Sequence, residues 1–271
     1  MILASEGVNA TLSGTKDSLH DFMGRLRARL QLPSDLPTKA SSAETPPFKR
    51  FHIKLRSEIV TLDRPDIRPQ IQRGRHLSPE EWDRMMKLDD TIVVDTRNGY
   101  ETKIGKFQNA VDFNIDEFTD FPDKIKGPQW NRDKNYLIYC TGGIRCEKAI
   151  HSMEEMGFKN VYQLDGGILN YLKEKPEGAY NGECFVFDSR VAVDKNLAPS
   201  KQYSLCPHCG DVSELDIECL KCETPAKICK PCSEKAKAQK HYQTCSKNCS
   251  YHYKRDPLSK SPRQQRHYHG P

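Results

Sequence analysis

Long apolar runs are absent. No stretch of about 18 apolar residues occurs in the 271-residue chain, which excludes a membrane-spanning helix. The opening Met1-Ile2-Leu3-Ala4-Ser5-Glu6 lacks the basic lead and the apolar stretch of a secretory signal. Apolar residues are scarce, at 36% beside 29% charged, so one large core is not expected. The length allows two or three small domains, with part of the chain in loop, tail or metal-stapled structure. No internal repeat of solenoid length is found. What the chain does have is 11 cysteines, many at CxxC spacing. Without an export signal these read as metal ligands or reactive thiols of a reducing compartment, the cytoplasm, rather than as disulfides.

Charge is unevenly placed within a net +5. From Cys184 to Pro271 there are 15 Lys/Arg against 9 Asp/Glu, and the rest is nearly balanced. A basic C-terminal third suits a polyanion such as RNA, although a solvated tail has the same composition.

Three segments follow one another. In residues 1–73, Met1–Ala4 reads as a strand, Glu6–Asn9 as a turn and Ala10–Gly14 as a second strand. Leu19, Phe22, Met23, Leu26 and Leu30 recur at helical spacing until Pro33 and Pro37 stop the helix. Phe51–Leu55 and Glu58–Leu62 read as further strands, giving β-β-α-β in a chain that starts inside a strand. Residues 74–176 alternate helix and strand. Ser78-Pro79-Glu80-Glu81 carries a capping box with Pro at the first helical position. Thr91–Val94, Tyr136–Tyr139 and Val161–Leu164 are short apolar strands, and Arg145–Met156 is a helix closed by Gly157. Such alternation implies a mainly parallel sheet with helices on both faces, and sites of such sheets lie beyond the carboxyl ends of strands. Asp95 and Cys140 fall there. Residues 183–253 hold four cysteine pairs, and residues 254–271 lack periodicity and read as a basic disordered tail.

The chemistry converges on Cys140-Thr141-Gly142-Gly143-Ile144-Arg145-Cys146. A strand ends at Cys140 and a helix starts near Arg145. Gly142 and Gly143 let the chain turn tightly, so that amide N–H groups face one point at the positive end of a helix. Amides, dipole and Arg145 favour a thiolate at Cys140, the nucleophilic form of the side chain. A cysteine after a strand is ordinarily a packing residue; the Gly-Gly turn, the arginine and the helix onset point to reactivity instead. Cys146, inside the helix, reads as a packed thiol, with a resolving thiol as the lesser reading. Asp95 and Arg97 read as a supporting pair, and Glu101 as part of a short helix start. Cys140 and Arg145 are spaced C-x4-R, one residue shorter than the C-x5-R phosphate loop of cysteine phosphatases, which argues against phosphatase activity.

The cysteine pairs are Cys206/Cys209, Cys219/Cys222, Cys229/Cys232 and Cys245/Cys249. Eight thiolates fit two closed tetrahedral zinc sites of structural type. Sequential pairing closes shorter loops; cross-brace pairing joins the first pair to the third and the second to the fourth. Both remain open here. His208 and His241 read as bystanders and Cys184 as a packed residue. Aromatic and basic residues interleave at His241-Tyr242 and Tyr251–Arg255, which suits either RNA stacking or the core of a small zinc module.

Asp95-Thr96-Arg97, Glu101, Gly105, Phe107, the Cys140 loop and Leu164-Asp165-Gly166-Gly167 resemble a rhodanese domain. The run Cys140–Ala149 more narrowly resembles the rhodanese-domain tRNA uridine hydroxylases. Glu6–Gly14 resembles the end of that family's ferredoxin-like first domain, and Gly182–Val193 the stretch leaving the rhodanese domain. The resemblance implies an α/β rhodanese-like parallel sheet after a partial α+β ferredoxin-like segment lacking its opening strand and helix. It implies Cys140 as the catalytic residue, tRNA as partner, molecular oxygen as co-substrate and 5-hydroxyuridine at the wobble position as product. Two rival functions use the same residues: a thiosulfate-type sulfurtransferase working through a Cys140 persulfide, and a non-catalytic zinc adaptor.

Overall fold

The computed structural model describes residues 1–33, 38, 40, 46–48, 50–69 and 75–259. Pro37, the boundary at 73/74 and the tail beyond Ser259 lie outside the described residues.

The first unit is a small sheet with one helix. β1 (Ile2–Ala4) pairs antiparallel with β2 (Gly7–Asn9) and, after α1 (Lys16–Leu30), parallel with β3 (Lys54–Leu55). The second strand is therefore Gly7–Asn9 and not Ala10–Gly14. The chain reverses at Ser5-Glu6 because Gly7 takes φ +144°, open to glycine alone, and pairs directly with Ala4. Thr15 caps α1 by accepting the Ser18 N–H at 3.3 Å. Glu58–Leu62 forms no strand. Its amides bond to carboxylates instead of a neighbouring strand: Ile59 N–H to Glu6 Oε1 at 2.5 Å, Leu62 N–H to Glu58 Oε2 at 3.1 Å.

The central unit runs β4 (His76–Leu77), α2 (Pro79–Met85), β5 (Thr91–Asp95), α3 (Gly99–Thr102), β6 (Gly105–Phe107), β7 (Val111–Asp112), α4 (Phe121–Ile125), β8 (Asn135–Tyr139), α5 (Ile144–Glu155), β9 (Asn160–Leu164) and α6 (Gly167–Glu174). The capping box at Ser78 forms as its residues require, with both reciprocal bonds present. Five strands make a parallel sheet in the order β4-β9-β8-β5-β7. β8 is central and alternates between two cores. Tyr136, Ile138 and Cys140 face one core with Ala149, Ile150 and Met153 of α5. Leu137 and Tyr139 face the other, with Trp82 of α2 and Ile168 and Tyr171 of α6. Each large side chain so buried stabilises the unit by roughly 1.5–3 kcal/mol.

β10 (Tyr180–Gly182) returns to pair with β6, and β11 (Cys184–Phe185) pairs with β12 (Ala192–Val193). Cys184, Val186 and Val193 are buried in the core that holds Leu137 and Tyr139. The stretch from residue 183, read from sequence as the start of the zinc module, thus packs with the central sheet. The cysteine pairs are carried farther on, by β13 (Ser204–Leu205), β14 (Val212–Ser213), β15 (Leu215–Glu218), β16 (Pro225–Ile228), α7 (Lys230–Ala238) and α8 (Lys247–Arg255). α8 takes in Lys254 and Arg255, assigned to the tail from sequence; Ser246 caps this helix by accepting the Cys249 N–H at 3.1 Å.

Candidate active site

Cys140 is the first residue beyond β8, and its side chain is 1% exposed. Gly143 donates its N–H to Cys140 Sγ at 3.0 Å. Gly143 holds φ +98°, a conformation that an L side chain strains to adopt, and this turn aims the amide at the sulfur while opening α5 behind it. Gly142 is exposed, and a Cβ placed there meets nothing within 4 Å. The loop is held from below by α6. Ile168 and Leu169 donate N–H to the carbonyls of Cys140 and Thr141 at 3.0 and 3.2 Å. That approach requires glycine at 167, where a Cβ would stand 2.5 Å from the Cys140 carbonyl. The Gly166-Gly167 element thus serves the cysteine loop.

Burial alone would keep the Cys140 thiol neutral. The Cys146 thiol, the Arg145 charge and the loop amides overcome it and hold Cys140 at a pKa of about 5. Cys146 shifts the other way, through its own burial and because its proton is bonded to the Cys140 thiolate. It is fully buried, with Thr96 Oγ1 3.7 Å from its sulfur. Cys146 is a packed thiol, as read from its place in a helix, and it is also a hydrogen-bond partner of the sulfur it follows.

Arg145 is fixed by Glu101, with Nη1–Oε2 at 2.6 Å and Nη2–Oε1 at 2.8 Å. Glu101 also caps α3 through the Asn98 N–H and accepts the Thr141 hydroxyl at 3.2 Å. The short-helix reading of Glu101 missed this clamp, because 44 residues separate the partners and no local spacing marks the pair. The bidentate geometry directs the guanidinium N–H groups at a carboxylate, so Arg145 acts on Cys140 as a nearby charge and as a backbone donor. Asp95 and Arg97 form a fully buried pair at 2.7 Å, and Arg97 Nη2 donates to the Gly105 carbonyl at 2.6 Å. Their bonds run to each other, to the Gly105 carbonyl and to the Tyr180 hydroxyl. Ile144 opens α5 half-buried.

A buried lysine ties this helix to the first unit. Lys148, 0% exposed, lies 2.9 Å from Glu6 Oε2 and 2.5 Å from Glu58 Oε2. An unpaired ammonium there would be costly, so the two carboxylates are the condition for its burial. Sequence reading had no signal for this either.

The eight array cysteines form two groups able to hold a metal ion: Cys206, Cys209, Cys229 and Cys232; and Cys219, Cys222, Cys245 and Cys249. This is the cross-brace pairing. Sulfurs lie 3.4 Å apart at Cys209/Cys229 and 3.5 Å at Cys222/Cys245, close to the edge of a tetrahedron with metal–sulfur bonds of about 2.3 Å. His208 and His241 are outside both groups, and each ring packs against Tyr242. Tyr242 is therefore part of the module's packing, whereas Tyr251 is 54% exposed, with Arg255 over its ring.

Comparison with known proteins gives a consistent result. The family described as Rhodanese-like domain matches residues 78–174, UPF0176 acylphosphatase like domain matches 1–59, and Rhodanase C-terminal matches 181–250. The chain is 45% identical over 266 residues to the tRNA uridine(34) hydroxylase of Bdellovibrio bacteriovorus, covering 97% of this chain and 75% of that protein. It is 43% identical over 213 residues to the protein of that name in Synechocystis sp., covering 78% and 76%. Identity to its counterpart in Cytophaga hutchinsonii is 36% over 259 residues, covering 95% and 81%.

Proposed function

The chain belongs to the tRNA uridine(34) hydroxylase family, and on that premise we propose that it hydroxylates C5 of uridine 34, the wobble position of tRNA, with Cys140 as the residue that attacks the base. The observation that carries the assignment of Cys140 is its sulfur at the carboxyl end of the central strand, bonded by Gly143 N–H at 3.0 Å beside the clamped Arg145.

Uracil C5 is a poor site for oxidation as it stands. Addition of the Cys140 thiolate at C6 makes C5 enolate-like and electron-rich, and Arg145 or the loop amides would stabilise the negative charge that develops at O4. Molecular oxygen is the co-substrate: one oxygen atom enters at C5 and the other leaves as water, with two electrons and two protons from an external reductant. Loss of the C5 proton and expulsion of the thiolate restore the ring. Arg145 keeps the sulfur ionised between turnovers, and the exposed Gly142 leaves room for the substrate's approach.

Zinc is the metal we assign to the two four-cysteine groups. It would supply structural ties there, with all four ligand positions filled by thiolates and none open for substrate. The basic C-terminal third suits the tRNA backbone, and the reaction belongs in the cytoplasm with its substrate.

Nucleoside mass spectrometry of tRNA from cells lacking this protein tests the assignment. Re-expression of the wild-type chain should restore 5-hydroxyuridine and Cys140→Ser should not, and labelled dioxygen should appear in the product. Full hydroxylation by Cys140→Ser would remove the nucleophile from the account. Thiocyanate release from thiosulfate with no change in tRNA would select the sulfurtransferase instead.

A further inference from the structure

Exposed aromatic surface lies beside the Cys140 loop, and the thiol chemistry makes no use of it. Phe187 is 63% exposed and Tyr100 42%. The buried Phe185 joins them edge to face, at 5.3 Å from Tyr100 and 5.0 Å from Phe187. Two contacts attach this row to the site. The Thr141 hydroxyl reaches the Phe185 carbonyl at 3.5 Å, and the Arg145 guanidinium lies 5.8 Å from the centre of the Phe187 ring.

A single exposed phenylalanine needs no explanation. This one is presented on a fixed backbone. Immediately after it, Arg190 donates to Asp188 from its backbone N–H at 3.0 Å, from Nε at 2.9 Å and from Nη2 at 2.6 Å. Ser189 N–H is bonded to the Pro47 carbonyl at 3.1 Å. The same Asp-x-Arg arrangement recurs at Asp95 and Arg97. A ring so exposed on a fixed backbone is a platform for a flat partner. Bases splayed from a single-stranded RNA loop are held in this way, by stacking on aromatic rings.

We propose that Phe187, flanked by Tyr100, is a stacking surface for a nucleobase of the substrate RNA at the mouth of the Cys140 loop. This rests on, and deepens, the reading of the chain as a tRNA uridine hydroxylase. The ring binds a base and leaves the covalent steps to Cys140.

The test uses the full chain with its metal and a transcribed tRNA carrying uridine at position 34. Stacking on one base accounts for a loss of about tenfold to a hundredfold in tRNA affinity for Phe187→Ala, and Phe187→Leu should lose nearly as much. Phe187→Trp should restore affinity to within about threefold of wild type. Melting temperature and the thiolate titration of Cys140 should not move in any of the three, which separates stacking from damage to the loop. Wild-type tRNA affinity in both Phe187→Ala and Phe187→Leu would overturn the proposal, as would failure of Phe187→Trp to recover binding. If the wild-type chain itself leaves tRNA unhydroxylated, the underlying function is wrong; if it is active and the alanine variant binds equally well, only the stacking surface falls.

Discussion

Two regions of the chain gather sulfur, and they handle it by different means. Beyond the carboxyl end of the central strand β8, Cys140 is buried in a loop whose own parts stabilise its negative charge: Gly143 N–H, the Cys146 thiol and a clamped arginine. In the C-terminal module, sulfurs gather by fours, all within 4.8 Å of one another and as close as 3.4 Å at Cys209/Cys229. Four thiolates so close repel unless a cation sits among them. The first arrangement favours negative charge on one sulfur. The second sets four sulfurs where one metal ion could take them all. Composition alone places all these cysteines in one class; neighbours at hydrogen-bond distance divide them.

Removing metal should act on the C-terminal module alone, and its effect should be the largest. A strong zinc chelator, or Cys229→Ser, should unfold the module from about Ser204 onward, since structural zinc contributes on the order of 10 kcal/mol or more to such folds. Circular dichroism and metal content should report that loss, while the ionisation of Cys140 stays as in the intact chain. Loss of the Cys140 thiolate on chelation would show that the two sulfur regions are not independent.

Arg145→Met should act on the other side. It leaves Glu101, fully buried, without its cation and should cost about 3–5 kcal/mol in denaturant unfolding. The Cys140 pKa should rise as the nearby charge disappears. Arg145→Met with Glu101→Gln should recover much of the stability but leave the pKa raised. Recovery of both would mean that the arginine only holds the loop in shape.

Substitutions at the two loop glycines should have smaller effects. Gly143→Ala should cost about 1–2 kcal/mol because of its positive φ, and should weaken the bond from its N–H to sulfur. Gly142→Ala should change stability by less than about 0.5 kcal/mol, since its Cβ meets open space. Equal effects of the two, measured by thermal unfolding, would contradict the loop geometry.

What could be read from the sequence was whatever is encoded locally. The Ser78 capping box, the apolar runs of β5, β8 and β9, the Gly-Gly turn after Cys140 and the CxxC pairs each lie within a few residues. Partners distant in sequence were hidden. Glu101 finds Arg145 across 44 residues, and Lys148 finds Glu58 across 90. The cross-brace follows from the fold of the whole module, not from loop length. Glu58–Leu62 has the composition of a strand, yet its amides are taken by carboxylates. Tyr242 and Tyr251, alike in sequence context, separate into a packed ring and an exposed one.

Whether protein groups alone hold the Cys140 sulfur as an anion is measured by the pH titration of thiolate ultraviolet absorbance, wild type minus Cys140→Ser, with the module's metal kept in place. The difference should appear as one ionisation centred near pH 5. A midpoint at about 8.5 or above, that of a free or merely buried thiol, would contradict it.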